Sequence, residues 1–313
     1  MKIRTVNGTI DAGNINYVDA HTHIWIKKEK SVNKNFISEE SDYPLIKSCL
    51  KDFKKSNGSL LVDCTPYGCG RDVNKLRELS IETGVEVVAV TGFHKRDYYP
   101  PDSRIWKFSM GEAVSFFTEE ITSGFKEALN KDIKIKAGLI KIPFIGSLEN
   151  NYKTLTDSAL QASYDTDIPI LVHTEMGINI EWFADYIENK GIKPEKVALC
   201  HVDKRNEPVL QEKLASRGFY LEYDTFLRKK YYPEKNTYRL IDHLLKSGYK
   251  NSLMVGSDIF GNAMWSDLKS DSGYERFFSK LEDYLCTVSK NLEVIKNVLG
   301  ANAAKFLSAN RVF

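Results

Sequence analysis

Eight short runs of apolar, mostly β-branched residues recur along the chain, and each run closes in polar residues. They span residues 16–20, 59–63, 85–92, 137–143, 168–174, 197–202, 220–225 and 252–257. Near-continuous apolar strands are typical of parallel sheets that helices cover on both faces. Because eight parallel strands close a barrel, the pattern predicts an α/β fold, the (β/α)8 or TIM barrel.

The segments between these runs have the periodicity of amphipathic helices, most clearly at residues 72–79, 156–163 and 238–247. No linker rich in Pro, Gly or Ser divides the chain. A short hairpin turned at Asn7-Gly8 is expected before the barrel begins. We therefore predict a single domain over residues 1–313, with the hairpin at 1–15 and the barrel at 16–313.

The composition limits the classes of partner. The 44 Lys and Arg residues nearly balance the 42 Asp and Glu residues, so the chain carries no global attraction for nucleic acid or acidic membranes. We find no apolar run of the length of a signal peptide or membrane span. The five scattered cysteines form no CxxC pair and favour reduced thiols in a cytoplasmic protein. The expected partner is a small molecule.

Four of the six histidines follow the carboxyl ends of predicted strands. His21 and His23 come after the first run, His173 closes the fifth and His201 follows the sixth. Side chains alternate along a strand, so a His-x-His pair directs both imidazoles to the same side, here the barrel interior. A lone pair of this kind is most often structural. The shared strand ends, where barrel enzymes carry their chemistry, favour a metal site.

Two further polar residues are predicted at the same face. Lys141 interrupts the apolar fourth strand, and Asp258 closes the eighth. We expect burial to lower the pKa of the lysine, whose neutral amine can react with carbon dioxide to give a carbamate, an anionic metal ligand. A buried lysine more often pairs with a carboxylate. Together with the four histidines, however, the set suits Zn²⁺ or Mn²⁺.

The order His-x-His, Lys, His, His, Asp resembles the amidohydrolase superfamily and, within it, the phosphotriesterase-like family of phosphotriesterase-related proteins and lactonases. The resemblance extends over nearly the whole chain. It is carried by these ligands and by the segments Asp19-Ala20-His21-Thr22-His23, Gly70-Arg71-Asp72, Thr91-Gly92-Phe93 and Gly256-Ser257-Asp258. It implies a metal-dependent hydrolase of ester bonds, for which a homodimer is plausible.

The resemblance also implies a binuclear centre with two divalent cations, Zn²⁺ with Mn²⁺ or Co²⁺ as alternatives. His21, His23 and Asp258 would hold the more buried cation, and His173 and His201 the more exposed one.

Two residues would take part in the reaction itself. Carbamylated Lys141, together with a hydroxide, would bridge the two metals. The hydroxide would attack the scissile carbonyl or phosphoryl group while Asp258 takes up its proton.

The substrate is suggested by basic pairs and triples in three loops at the carboxyl face, after strands 3, 6 and 7. Candidate substrate-binding residues from these loops are Tyr98, Lys204, Arg228 and Lys229. Cations beside a metal centre suit phosphate or carboxylate, so the leading hypothesis is a lactonase acting on an anionic lactone of the sugar-phosphate type. Solvated loop charges are the alternative interpretation.

Two other functions remain open at this point. One is phosphotriester or phosphodiester hydrolysis at the same metals. The other is a catalytically inactive barrel that binds metal or sugar phosphate. Among the remaining residues, His94 is expected to be an ordinary loop residue, and Trp265 and Tyr274 are candidates for a lid over the site.

Overall fold

The computed structural model describes residues 1–30, 32–129, 134–174, 178–231 and 235–308, with the backbone alone at Lys229 and Lys235. Strands β1 (Lys2–Thr5) and β2 (Gly8–Asp11) form the predicted antiparallel hairpin. Eight parallel strands follow: β3 (Tyr17–Thr22), β4 (Gly58–Asp63), β5 (Glu86–Gly92), β6 (Leu139–Pro143), β7 (Ile170–His173), β8 (Val197–Cys200), β9 (Tyr220–Tyr223) and β10 (Leu253–Val255).

Hydrogen bonds close the eight strands into a barrel where β3 meets the end of β10. The backbone N–H of Asp258 donates to the carbonyl of His21 (2.8 Å), and that of His23 donates to the carbonyl of Ile259 (2.8 Å). The predicted TIM barrel is therefore confirmed. The candidate ligands His21, His23 and Asp258 therefore lie side by side where the first and last barrel strands meet.

Helices connect consecutive barrel strands and cover the outside of the barrel, and further helices follow the last strand. Their bounds are α1 (Tyr43–Lys55), α2 (Val73–Thr83), α3 (Met110–Thr122), α4 (Asn150–Thr166), α5 (Ile180–Asn189), α6 (Pro208–Ser216), α7 (Lys235–Lys246), α8 (Gly261–Ser270), α9 (Gly273–Ser289), α10 (Leu292–Lys296) and α11 (Asn302–Phe306). Within the described ranges, none of them has the length and apolar character needed to cross a membrane.

Several strands are shorter than the apolar runs that predicted them. The run 168–174 contains the strand Ile170–His173, and the run 252–257 contains Leu253–Val255. Their closing residues leave the sheet because the chain turns into the loops of the carboxyl face. His201, with φ +64°, makes this turn in the left-handed region immediately after β8.

Alternation along the strands separates the barrel interior from the outer layer of helices. On β8, Ala198 and Cys200 belong to the interior cluster, whereas Val197 and Leu199 pack in the larger cluster with the helices. The interior is filled by side chains, as in other small barrels.

Trp265 and Tyr274 do not form a lid, contrary to expectation. Both are fully buried, in α8 and α9 respectively. The Tyr274 ring packs 4.8 Å from that of Phe53 on α1, and its hydroxyl donates to Asp19 Oδ2 (2.9 Å). The two helices pack against the side of the barrel, so these aromatics stabilise its wall.

Gly92 is required where β5 meets β6. Its φ is +101°, and a Cβ there would lie 2.0 Å from the carbonyl oxygen of Lys141. We expect Gly92→Ala to lower the free energy of unfolding by about 2 kcal/mol, because it combines a strained backbone with a clash. Urea denaturation measures the change. Gly111→Ala, at a position with open space, is the control; an equal effect of both substitutions would contradict the prediction.

Candidate active site

A cavity of about 220 Å³ opens at the carboxyl end of the barrel. Five histidines and one aspartate are among the residues that line it: His21, His23, His94, His173, His201 and Asp258. Barrel enzymes place their chemistry at this face. The cavity is the only one among those found in the described residues that contains the predicted ligand histidines.

The predicted ligands lie close to one another. Lys141 Nζ is 3.1 Å from His21 Nε2, which is 3.9 Å from Asp258 Oδ1. The ring of His201 lies 4.7 Å from that of His21 and 4.6 Å from that of His173. Ligand atoms of His21, His23 and Asp258 all fall within 4.8 Å of one another, a grouping that can hold a metal ion.

Hydrogen bonds orient three of these imidazoles through their Nδ1 atoms. The partners are Glu222 Oε1 for His21 (2.6 Å), Thr65 Oγ1 for His23 (2.7 Å) and Asp224 Oδ1 for His201 (2.8 Å). Nε2 is then the ring atom available to a metal. Supporting partners of this kind, carboxylates above all, are typical of metal-binding histidines. The residues present therefore fit a metal centre.

The electrostatics of the cavity keep these histidines neutral. Burial lowers the pKa of His23 to about 3 and holds the pKa values of His21 and His201 well below their usual range, with nearby cationic groups acting in the same direction. A metal ligand must offer a lone pair, so the neutral form is the one that binds.

Lys141 differs from the expectation that burial would lower its pKa. Burial does act in that direction, but the neighbouring thiols of Cys200 and Cys64 and the carboxylates of Glu222 and Asp258 outweigh it and raise the pKa to about 12. The sequence showed that the lysine would be buried. It could not show that the fold surrounds the amine with acidic groups.

Arg228 and Lys204 reach this cavity from two different loops, as predicted for anion-binding residues. Arg228 Nη1 lies 2.6 Å from Asp258 Oδ2, and its guanidinium stacks 4.6 Å from the Phe260 ring. Lys204 Nζ is 4.0 Å from the same carboxylate oxygen. Tyr98 also lines the cavity. The side chain of Lys229 lies outside the described part of the chain.

Other cations of the same loops point away from the cavity. Arg96 donates to the carbonyl of Pro100 (3.2 Å) and stacks over Trp106. Arg205 pairs with Glu207 and donates to the carbonyl of Thr174 (2.7 Å). The basic residues of these loops thus fall into two groups: some bind backbone carbonyls, and others line the cavity.

His94 was expected to be a loop residue, but it lines the cavity with its ring 4.7 Å from that of His173. Its Nδ1 accepts a hydrogen bond from the backbone N–H of Lys95 (2.7 Å), so Nε2 carries the proton in the neutral ring. Its position directly after the third barrel strand was the signal available in the sequence.

Phe36 and Phe260 line the cavity, with ring centroids 4.6 Å apart in an edge-to-face arrangement. Phe260 comes shortly after β10, so its position at the carboxyl face follows from the order of the strands. Phe36 lies in the loop after β3, which has no periodic pattern, so no signal in the sequence pointed to it.

The sequence profile of the "Phosphotriesterase family" matches residues 1–304. The chain belongs to the phosphotriesterase family. As a member of it, the protein is a hydrolase that acts on ester bonds. A curated relative, "Phospho-furanose lactonase" of Mycoplasmopsis synoviae, is 27% identical over 97% of this chain and 91% of its own length.

Two solved structures resemble the fold closely. An amidohydrolase from Mycoplasma synoviae is 26% identical and has a TM-score of 0.88, covering 99% of this chain and 92% of that one. A lactonase from Listeria monocytogenes has a TM-score of 0.89 at 20% identity, covering 99% of this chain and all of that one (100%). At that identity, the second likeness supports the fold alone.

Proposed function

We propose that this member of the phosphotriesterase family is a binuclear metal-dependent lactonase that hydrolyses a phosphorylated sugar lactone. The observation that carries the proposal is the position of Arg228 and Lys204 at the same carboxylate, Asp258, inside the cavity that holds the histidines. The name of the relative from Mycoplasmopsis synoviae, which acts on a phospho-furanose lactone, supports the same substrate class.

The proposed ligands divide into two neighbouring half-sites. His21, His23 and Asp258 would hold the buried cation, and His173 and His201 the exposed one. When bound, the cations supply Lewis acidity towards the scissile carbonyl and activate a water molecule as the nucleophile.

Lys141 would join the two half-sites as a carbamate. Its neutral amine would form an N–C bond with carbon dioxide and release one proton. Lys141 Nζ lies 3.1 Å from His21 Nε2, so a carboxylate built on this nitrogen would begin beside a proposed ligand of the buried cation.

The remaining residues would bind the substrate and handle protons. Arg228 and Lys204 offer N–H donors to an anionic group. His94 lines the same cavity beside His173, and its Nε2–H would donate to an oxygen of the lactone. Asp258 Oδ1, the oxygen nearer to His21, would accept the proton that the water loses.

A neutral phosphotriester is the second candidate substrate. Ile26, Val32, Phe36 and Phe260 form an apolar side of the cavity that suits alkyl or aryl groups. Arg228 and Lys204 would gain no anionic partner from such a substrate, which makes it the weaker fit.

A screen of lactones with and without a phosphate, beside phosphotriesters, tests the proposal with Zn²⁺-loaded enzyme and with chelated enzyme. We expect kcat/KM for phosphorylated lactones to exceed that for the neutral lactones by about 10²-fold, because a charged hydrogen-bonded pair contributes roughly 1.5–3 kcal/mol. Chelation should abolish the activity. Faster turnover of phosphotriesters, or activity that survives chelation, would overturn the proposal.

A further inference from the structure

A glutamate lies inside the barrel, directly beneath the proposed metal centre. On β9 the side chain of Tyr220 packs in the interior cluster, and alternation directs Glu222 to the same side. Glu222 is completely buried. A carboxylate in such a place has a large desolvation cost unless specific partners compensate for it, so its contacts indicate its purpose.

The contact that Glu222 makes is with a proposed metal ligand. Its Oε1 lies 2.6 Å from Nδ1 of His21, and the two side chains are 0% and 1% exposed. A cation can bind Nε2 of His21 only when the ring proton is on Nδ1, and Glu222 is then its acceptor. The bond selects this tautomer and also fixes the plane of the ring.

The same arrangement recurs at the second half-site, two residues along the strand direction. Asp224 accepts from Nδ1 of His201 (2.8 Å) and is also completely buried. One carboxylate thus supports one histidine in each half-site: Glu222 serves His21, and Asp224 serves His201. His21 Nδ1 is 2.6 Å from Glu222 but 3.7 Å from Asp224, so Glu222 is the direct partner of His21. The two carboxyl groups also interact with each other.

We propose that Glu222 is a positioning residue that holds His21 with Nε2 directed towards the buried half-site and thereby strengthens cation binding there. This assignment rests on the proposed metal centre. It predicts a larger loss of affinity for the cation at His21 than for the second one, because Glu222 contacts His21 directly and, among its described interactions, reaches the second half-site only through those with Asp224 and Lys141.

Titration of the metal-free protein with Zn²⁺, in competition with a chromophoric chelator, tests the assignment. Supporting partners of this kind contribute roughly 10- to 100-fold to metal affinity. Glu222→Gln keeps an acceptor oxygen without the charge, and we expect one Zn²⁺ to bind about tenfold more weakly. Glu222→Leu removes the acceptor, and we expect about a 100-fold loss at the same site. The affinity for the second Zn²⁺ should fall by a smaller factor.

Glu120→Gln is the matched control. Glu120 is another buried carboxylate, but it pairs with Arg71 (2.6 Å) outside the cavity. Its substitution should lower the thermal midpoint of unfolding and leave both Zn²⁺ affinities unchanged. Should Glu222→Leu fail to fold, the Zn²⁺ affinities of Glu222→Gln test the assignment. The unfolding midpoint of Glu222→Gln then shows that this variant is folded.

Wild-type affinity for both Zn²⁺ ions in the Glu222 variants would overturn the assignment, as would an equal loss at both sites. Wild-type protein that binds two Zn²⁺ ions but opens no lactone would contradict the proposed function and leave the role of Glu222 standing. The two failures are therefore distinguishable.

Discussion

Lys141→Ala is expected to lose bound metal and to lower kcat/KM for the preferred lactone by at least about 10³-fold. A ligand shared by both cations supports several kcal/mol of transition-state stabilisation, and each 1.4 kcal/mol corresponds to a factor of ten. Metal content per chain and steady-state kinetics measure the two effects. A short carboxylic acid such as acetate should restore part of the activity, because it can occupy the position of the carbamate.

Full activity of Lys141→Ala would eliminate the bridging role. The raised pKa of Lys141 adds a second expectation, since the acidic groups around its amine oppose loss of its proton. Cations would offset the carboxylate charges, so carbamylation and metal binding should occur together. Zn²⁺ uptake by metal-free wild-type protein should therefore accelerate with added bicarbonate, whereas uptake by Lys141→Ala should not respond to it.

Arg228→Ala is expected to raise KM for a phosphorylated lactone about 30- to 100-fold while changing KM for the neutral lactone by less than about threefold. Hydrogen bonds to a charged group contribute roughly 1.5–3 kcal/mol, and only the phosphorylated substrate makes them. Because Arg228 also contacts Asp258, any change in kcat should be shared by both substrates. Steady-state kinetics on the matched pair of lactones provides the measurement.

Lys230→Ala is the control for Arg228, since Lys230 belongs to the same loop but is exposed and does not line the cavity. It should leave both KM values unchanged. Arg228→Lys should recover only part of the affinity, because an ammonium group cannot reproduce the planar fork of the guanidinium. Equal increases in KM for the two lactones would refute the anion-binding role.

Much of the candidate site could be predicted because its residues occupy strand ends. In a parallel barrel all carboxyl ends meet at one face, so His21, His173 and His201 had to approach one another once the strands were recognised. The structure places all six predicted ligand side chains in one region at that face. The same reasoning applies to His94, whose position after the third barrel strand indicates the same face of the barrel, although it was expected to be a loop residue.

Residues of the loops were predicted less well. The basic character of three loops was evident. Among their described side chains, Arg228 and Lys204 line the cavity, whereas Arg96 and Arg205 bind backbone carbonyls. The direction in which a loop side chain points depends on backbone turns and on contacts with distant segments. Neither produces a periodic pattern in the sequence. For the same reason, Phe36 had no signal at all.

The sequence by itself determined the barrel, the face that carries the candidate site and the candidate ligand residues, because strand periodicity and strand ends are local properties. Only the tertiary structure decided what surrounds those residues. It placed Glu222 and Asp224 behind two histidines, gathered acidic groups around Lys141, and buried Trp265 and Tyr274 in the wall instead of over the mouth. These outcomes depend on contacts between segments far apart in the chain, whose geometry exists only after the barrel has closed.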